Sequence, residues 1–224
     1  MQKGELFVIG TPIGNLEDIT LRAIRVIKDS DFIVCEDTRK TIVLLKKYNI
    51  KKKLFAYFKG QEKKRAEYII DKLKEGKRVC LLSESGTPCI HDPGVYLVRR
   101  CHEEGIRVTP IPGPSALTSS ISVSGIDGDT FIFLGFPPKK KSEREKLFSF
   151  LKEEPKTSIF YLPPHKIEET LKEILNHIGT SRRVFIIREM TKKFEEYYYG
   201  TVEEALLWVK NKKGEFTMVI EGKR

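Results

Sequence analysis

Cysteine is sparse in this 224-residue sequence, and its four positions, Cys35, Cys80, Cys89 and Cys101, form no C-x-x-C pair. That argues against a disulfide framework and against a zinc clamp, since Cys89-Ile90-His91 and Cys101-His102 have no second pair to complete a tetrahedral site. No metal is expected. Long apolar runs are also missing: nothing approaches the ~20 residues needed to cross a bilayer, and Leu6–Ile9 is too short for a signal-peptide core. A soluble, cytoplasmic protein with reduced thiols and no membrane partner is the expectation. The G-x-G-x-x-G dinucleotide fingerprint and the Gly-Lys-Ser/Thr of a P-loop are absent as well, which speaks against classical NAD and ATP sites. There are no internal repeats and no low-complexity segments.

What is present is charge and alternation. Lys and Arg number 41 against 31 Asp and Glu, a formal net charge of +10, which favours polyanionic partners through long-range attraction and counterion release. Lysine-rich surfaces also serve solubility alone. Hydrophobic residues make up 40% of the chain, enough for real cores. Apolar or β-branched runs at Leu6 to Gly10, Phe32 to Glu36, Val79 to Ser83 and Arg107 to Ile111 predict strands. Helical patterns fill the gaps, with Leu21, Ile24 and Ile27 at helical spacing, Gln61 to Glu75 stopped by Gly76, and Gly94 to Glu104 closed by Gly105.

The first ~115 residues thus read as β-α-β-α-β-α-β around a mostly parallel sheet. Pro110, Pro112, Gly113 and Pro114 concentrate breakers ahead of a small-residue helix at Ser115 to Val123, and the domain joint is expected there, giving domains 1–116 and 117–224. The second half predicts strands at Thr130 to Phe136, Ser158 to Leu162, Arg183 to Glu189 and Phe216 to Glu221, with helices near 143 to 153, 166 to 177 and 202 to 212. Tyr197–Gly200 reads as a short extra strand, so this second sheet should be mixed. The fold class is α/β with two α/β domains.

Four Gly/Pro-rich turns directly follow strands: Thr11–Asn15, Ser83–Pro88 with Asp92-Pro93-Gly94, Pro110–Ser115, and Gly135–Pro138. Ligands of open α/β sheets bind beyond the carboxyl ends of strands, where glycine lets backbone come close. One such turn is ordinary connective chemistry; four point to a site. Lys51–Lys53 and Lys139–Lys141 are loop-borne clusters suited either to phosphate contacts or to plain solvation. Phe55, Tyr57 and Phe58 beside the first cluster suit base stacking or, for two of the three, core packing.

The segments Gly10–Ala23, Glu36-Asp37-Thr38-Arg39, Ser83–Gly94 and Pro110–Ala116 together resemble the tetrapyrrole-methylase superfamily and, within it, the small-subunit ribosomal RNA methyltransferase I group. They do so in the family's order and spacing along the whole chain. The resemblance implies a homodimeric two-domain enzyme of the tetrapyrrole-methylase type holding S-adenosylmethionine in a cleft between its domains. It also implies 2′-O-methylation of a decoding-region cytidine of 16S rRNA, on the assembled small ribosomal subunit. By motif position, Ile13, Gly14, Gly86, Thr87, Ile90, Ser115, Ala116, Leu162 and Met190 are its implied cofactor shell, although Ile90, Leu162 and Met190 are equally ordinary core residues.

Methyl transfer to a ribose hydroxyl rests on in-line positioning, and a base that accepts the hydroxyl proton adds to it. Asp37 is the first candidate for that base and Glu84 the second, with Arg39 a candidate clamp for an RNA phosphate. Helix capping by Asp37 or Thr38, and an ion pair of Arg39 with Glu36 or another nearby acid, are the structural alternatives. Two rival functions remain: C-methylation of a tetrapyrrole on the same fold, and a non-catalytic RNA-binding assembly factor.

Overall fold

A computed structural model of the chain describes residues 3–223. The chain divides into two compact units, Met1–Ser115 and Ala116–Arg224.

The first unit is built on five strands, β1 (Glu5–Ile9), β2 (Phe32–Cys35), β3 (Lys53–Ala56), β4 (Arg78–Leu82) and β5 (Arg107–Ile111), interleaved with helices α1 (Leu21–Asp29), α2 (Thr38–Lys47), α3 (Glu62–Lys74) and α4 (Val95–Glu103). Strand order is β3-β2-β4-β1-β5, and every pairing is parallel. Alternating side chains feed two cores, as the two-residue period of a strand requires. Phe7, Ile9, Ile33, Cys35, Cys80 and Leu82 pack under α1 and α2 on one face. Leu6, Phe32, Val34, Val79 and Leu81 pack under α3 and α4 on the other. A parallel sheet covered on both faces reads in sequence as continuous apolar runs, which is why β1, β2 and β4 are legible there.

Strand β3 is a correction to the four strands expected in this half. It forms the edge of the sheet, and its lysine-rich approach Lys51–Lys53 is how edge strands deter further pairing, so it carries no continuous apolar run. Because the sheet is parallel, Lys51–Lys53 sit at its amino edge. The Gly/Pro turns after β1 and β4 leave from the carboxyl edge, a strand length of roughly 13–17 Å away at about 3.3 Å per residue. The aromatic trio beside that cluster also separates. Tyr57 is 1% exposed inside the core, Phe55 stacks on Tyr68 at 5.0 Å, and Phe58 lies under the Arg65 guanidinium at 4.7 Å.

The second unit comprises α5 (Ala116–Val123), β6 (Phe131–Phe133), α6 (Lys141–Glu153), β7 (Thr157–Leu162), α7 (Ile167–Ile178), β8 (Arg183–Arg188), β9 (Glu196–Thr201), α8 (Val202–Trp208) and β10 (Phe216–Ile220). Its sheet runs β6-β7-β10-β8-β9. Only β6 and β7 pair in parallel, the other three pairings being antiparallel, so the sheet is mixed. Phe160, Leu162, Val184, Ile186, Phe216 and Met218 join residues of α6, α7 and α8 in one core. Ile159, Phe185, Ile187 and Val219 form the opposite face with Leu117 and Ile121 of α5.

Two elements are shorter than expected. Strand β6 stops at Phe133, ahead of Gly135 with φ 64°. Helix α8 stops at Trp208, ahead of Asn211 with φ 62° and Gly214 with φ 129°. No helix is long and apolar enough to cross a membrane among the described residues.

Candidate active site

The connectivity of the first unit marks one place on its sheet. Strand β1 sends the chain to α1 on one face, whereas its neighbour β4 sends it to α4 on the other. Where adjacent parallel strands hand over to opposite faces a crevice opens beyond their carboxyl ends, the usual ligand position of such sheets. The turns after these two strands are the Gly10–Gly14 and Ser83–Pro88 segments.

Backbone contacts stitch these turns together. Thr11 N–H donates to Gly86 O at 2.8 Å and Gly86 N–H donates to Thr11 O at 3.1 Å. The buried Thr11 hydroxyl reaches Gly86 O at 3.1 Å, and Ser83 Oγ donates to the same carbonyl at 2.8 Å. The turn after β5 joins them: a Cβ on Gly10 would lie 2.8 Å from Gly113 Cα, so only glycine allows the approach. Thr87 Oγ1 donates to Pro114 O at 3.4 Å. A small cavity of about 60 Å³ between these turns and α2 is lined by Thr11, Pro12, Lys40, Thr41, Ser83 and Glu84 among others.

Asp37 caps α2. Its Oδ1 accepts the Arg39 N–H at 2.8 Å and Arg39 Nε at 3.1 Å, while Oδ2 accepts from the same guanidinium at 2.7 Å. These hydrogen bonds from Arg39 hold the Asp37 carboxyl down to about 2. Arg39 therefore has Asp37 as its ion-pair partner, and its side chain remains 89% exposed. Glu84 is ion-paired with Lys40. The groups that motif position missed are Asp92 and Glu36. Burial, and next the negative charges of Glu36 and Glu84, push Asp92 up to about 6. Burial and the Glu84 charge raise Glu36 as well. Asp92 was visible in sequence only as part of an Asp-Pro-Gly turn; its desolvation depends on what folds over it.

Of the implied cofactor residues in the first unit, Ile13 is 8% exposed and packs toward Gly86, where an added Cβ would sit 3.3 Å from Ile13 Cγ2. Gly86 has φ 83°, a left-handed conformation that favours glycine. Gly14 and Ile90 are exposed, and Thr87 and Ser115 are half-buried. In the second unit Ala116 opens α5. Leu162 and Met190 are not brought together: the Leu162 side chain lies in the core under α6, α7 and α8, while Met190 packs on the α5 face. Met190 lines a cavity of about 460 Å³ with Ser119, Val123, Phe185, Ile187, Thr191, Glu195 and Tyr197. That size and its mostly apolar wall suit a nucleoside-sized ligand.

A sequence profile described as Tetrapyrrole (Corrin/Porphyrin) Methylases matches residues 5–206. The chain belongs to the tetrapyrrole methylase family. This tetrapyrrole methylase is 49% identical over 222 residues to "Ribosomal RNA small subunit methyltransferase I" of Thermotoga maritima, covering 98% of this chain and 99% of that protein. It is 42% identical over 224 residues to the protein of the same name from Escherichia coli O157:H7, covering 98% of this chain and 78% of that one. Among solved structures it resembles uroporphyrin-III-C-methyltransferase from Thermus thermophilus, with TM-score 0.69 and 16% identity over 98% of this chain and 94% of the other. It also resembles cobalt precorrin-4 methyltransferase, with TM-score 0.68 and 17% identity over 96% and 94%. At such identities the structural likeness speaks for the fold alone. With relatives named as methyltransferases across nearly its whole length, this family member is an S-adenosylmethionine-dependent methyltransferase.

Proposed function

We propose that the protein methylates small-subunit ribosomal RNA, at the ribose 2′-oxygen of a cytidine in the decoding region, acting as a homodimer on the assembled small subunit in the cytoplasm. The observation that carries this reading is the 49% identity to an rRNA small-subunit methyltransferase over 98% of one chain and 99% of the other. The tetrapyrrole C-methyltransferases share the fold at only 16–17% identity, so a tetrapyrrole acceptor ranks second.

The cofactor supplies an electrophilic methyl group on its sulfonium. In the first unit Ile13, Gly14, Gly86, Thr87, Ile90 and Ser115 are the proposed contacts, and in the second Ala116, Leu162 and Met190. The close-approaching glycines of the turns and the apolar cavity beside Met190 fit that role, with Leu162 restricted to its backbone because its side chain is committed to the core. With the cofactor bound, the residues of this chain would hold the ribose hydroxyl in line with that methyl group, and a base among them would take up the hydroxyl proton. A general base works best when its proton affinity lies near the operating pH. Asp37 is held far below that range and Glu84 is clamped by Lys40. Asp92, pushed up to about 6, is the carboxyl suited to accept the proton, while Asp37 orients Arg39 toward an RNA phosphate.

The test is transfer of labelled methyl to small ribosomal subunits lacking the modification, with naked 16S rRNA and large subunits alongside. Label confined to a small-subunit 2′-oxygen is expected. Label in a corrin precursor, or none in any RNA despite cofactor binding, would overturn the acceptor.

A further inference from the structure

One edge of the second sheet collects positive charge that methyl transfer leaves unused. Strands β6 and β7 are parallel neighbours, with Phe133 opposite Ile159, so both end at the same edge. Strand β10 enters there, with Phe216 opposite Leu162. The loop after β6 carries Lys139 and Lys140 and leads into Lys141 at the start of α6, the turn after β7 carries Lys166, α7 adds Lys172, and the segment before β10 adds Lys212, itself paired with Glu196. A concavity of about 430 Å³ is lined in part by Lys166, Lys172 and Lys212.

Most acids of this edge are already paired with cations. Glu173 and Glu169 bind Arg144 at 2.7 and 3.5 Å. Glu168 accepts the Asn211 N–H at 3.3 Å, and Glu143 and Glu145 lie 3.4 and 3.9 Å from Lys140 and Lys141. Among the described residues, Lys139, Lys166 and Lys172 have no acid at ion-pairing distance. The lysine loop is also held in place. Arg144, 8% exposed, donates through Nη1 to the carbonyls of Lys139 at 2.7 Å and Pro138 at 3.3 Å. Its Nε and Nη2 bind Glu173 of α7 at 2.7 and 2.8 Å. One buried guanidinium thus ties the loop backbone to α7, the helix that Lys166 precedes and that carries Lys172, so the backbone bearing these cations is held in place, which lowers the ordering cost of binding.

We propose that this edge of the second unit docks the phosphate backbone of an RNA strand. Uncompensated lysines are point charges suited to phosphates, and such contacts position a nucleic acid without reading its sequence. The inference rests on the RNA reading above.

The test measures binding of the full-length protein to naked 16S rRNA across about 50–200 mM salt, comparing wild type with the triple variant Lys139→Glu/Lys166→Glu/Lys172→Glu. A control with the same change in net charge, Lys28→Glu/Lys51→Glu/Lys53→Glu, alters the first unit away from its turns. Loss of three phosphate contacts should weaken binding on the order of 30-fold at low salt and reduce the slope of log K against log salt by about 2. S-adenosylmethionine affinity, read by calorimetry, should not change; if it does, the single variant Lys166→Glu is measured for the slope instead. An unchanged slope, or an equal loss in the control, overturns the proposal. A loss seen only with intact subunits and not with naked RNA overturns it in favour of a protein contact. Wild type that transfers methyl to small subunits while the variant binds like wild type refutes this surface alone, whereas wild type that neither binds RNA nor transfers methyl refutes the RNA reading with it.

Discussion

Thr11 and Gly86 exchange backbone hydrogen bonds at 2.8 and 3.1 Å, joining the turns after two strands that are distant in sequence, with Glu5 opposite Arg78, and side by side in the sheet. The junction sits where β1 and β4 hand over to opposite faces, so its geometry governs both the packing of the first unit and the shape of its crevice.

Replacing Gly10 by alanine tests that junction. The new Cβ would meet backbone atoms of Gly113 at 2.8 and 2.9 Å, and backbone cannot rotate aside as a side chain can. Gly10→Ala should cost about 1–3 kcal/mol of stability and weaken S-adenosylmethionine binding, read by urea denaturation and calorimetry. Wild-type stability would show that the turns separate easily.

Asp37 separates capping from proton transfer. Asparagine also caps helices, so Asp37→Asn should keep turnover within about threefold of wild type while Asp37→Ala loses the cap and the orientation of Arg39 and falls further. Equal, severe losses in both, with cofactor affinity retained, would return Asp37 to the role of base.

Asp92 makes a pH prediction with a definite sign. Its folded value of about 6 exceeds the ordinary 3.8, so folding favours the protonated acid. Stability from this group is present below pH 4 and is lost as pH rises toward and through 6. Asp92→Asn removes the titration and should be stabilising by about 1–2 kcal/mol above pH 7, allowing for partial solvent screening, with the difference vanishing near pH 4. Thermal melts across that window check it. Turnover of the same variant should fall roughly 10²- to 10⁴-fold if Asp92 accepts the ribose proton.

Tyr57 places a hydroxyl in the core with no hydrogen-bond partner among the described residues, and burial pushes its pKa above the ordinary tyrosine range. Tyr57→Phe removes an unsatisfied polar atom and should be neutral or stabilising by up to about 1 kcal/mol. It should leave RNA binding unchanged. Loss of RNA affinity would mean that the ring leaves the core to stack on a base.

Legibility followed the range of each interaction. The buried strands β1, β2, β4, β7, β8 and β10 announce themselves because both neighbours and both faces demand apolar side chains. Edge strand β3 does not, because a lysine approach is what keeps an edge unpaired. Asp37 was readable both as a cap and as a base, since a carboxylate before a helix serves either. The bidentate contact with Arg39 is visible only once the helix is folded. Asp92 gave no titration signal, because its shift comes from burial and from Glu36 and Glu84, charges carried by other segments.

The sequence by itself determined the alternating α/β architecture, the placement of the glycine turns and the family, since periodicity, turn chemistry and motif order are local and survive in one dimension. Only the tertiary structure decided that Lys51–Lys53 lies at the sheet edge opposite the turns, that Leu162 and Met190 occupy different faces of one sheet, and that Arg144 ties the Lys139 loop to α7. Those facts depend on strand direction, on face and on contacts between distant segments, which chain order does not encode until the sheets are assembled.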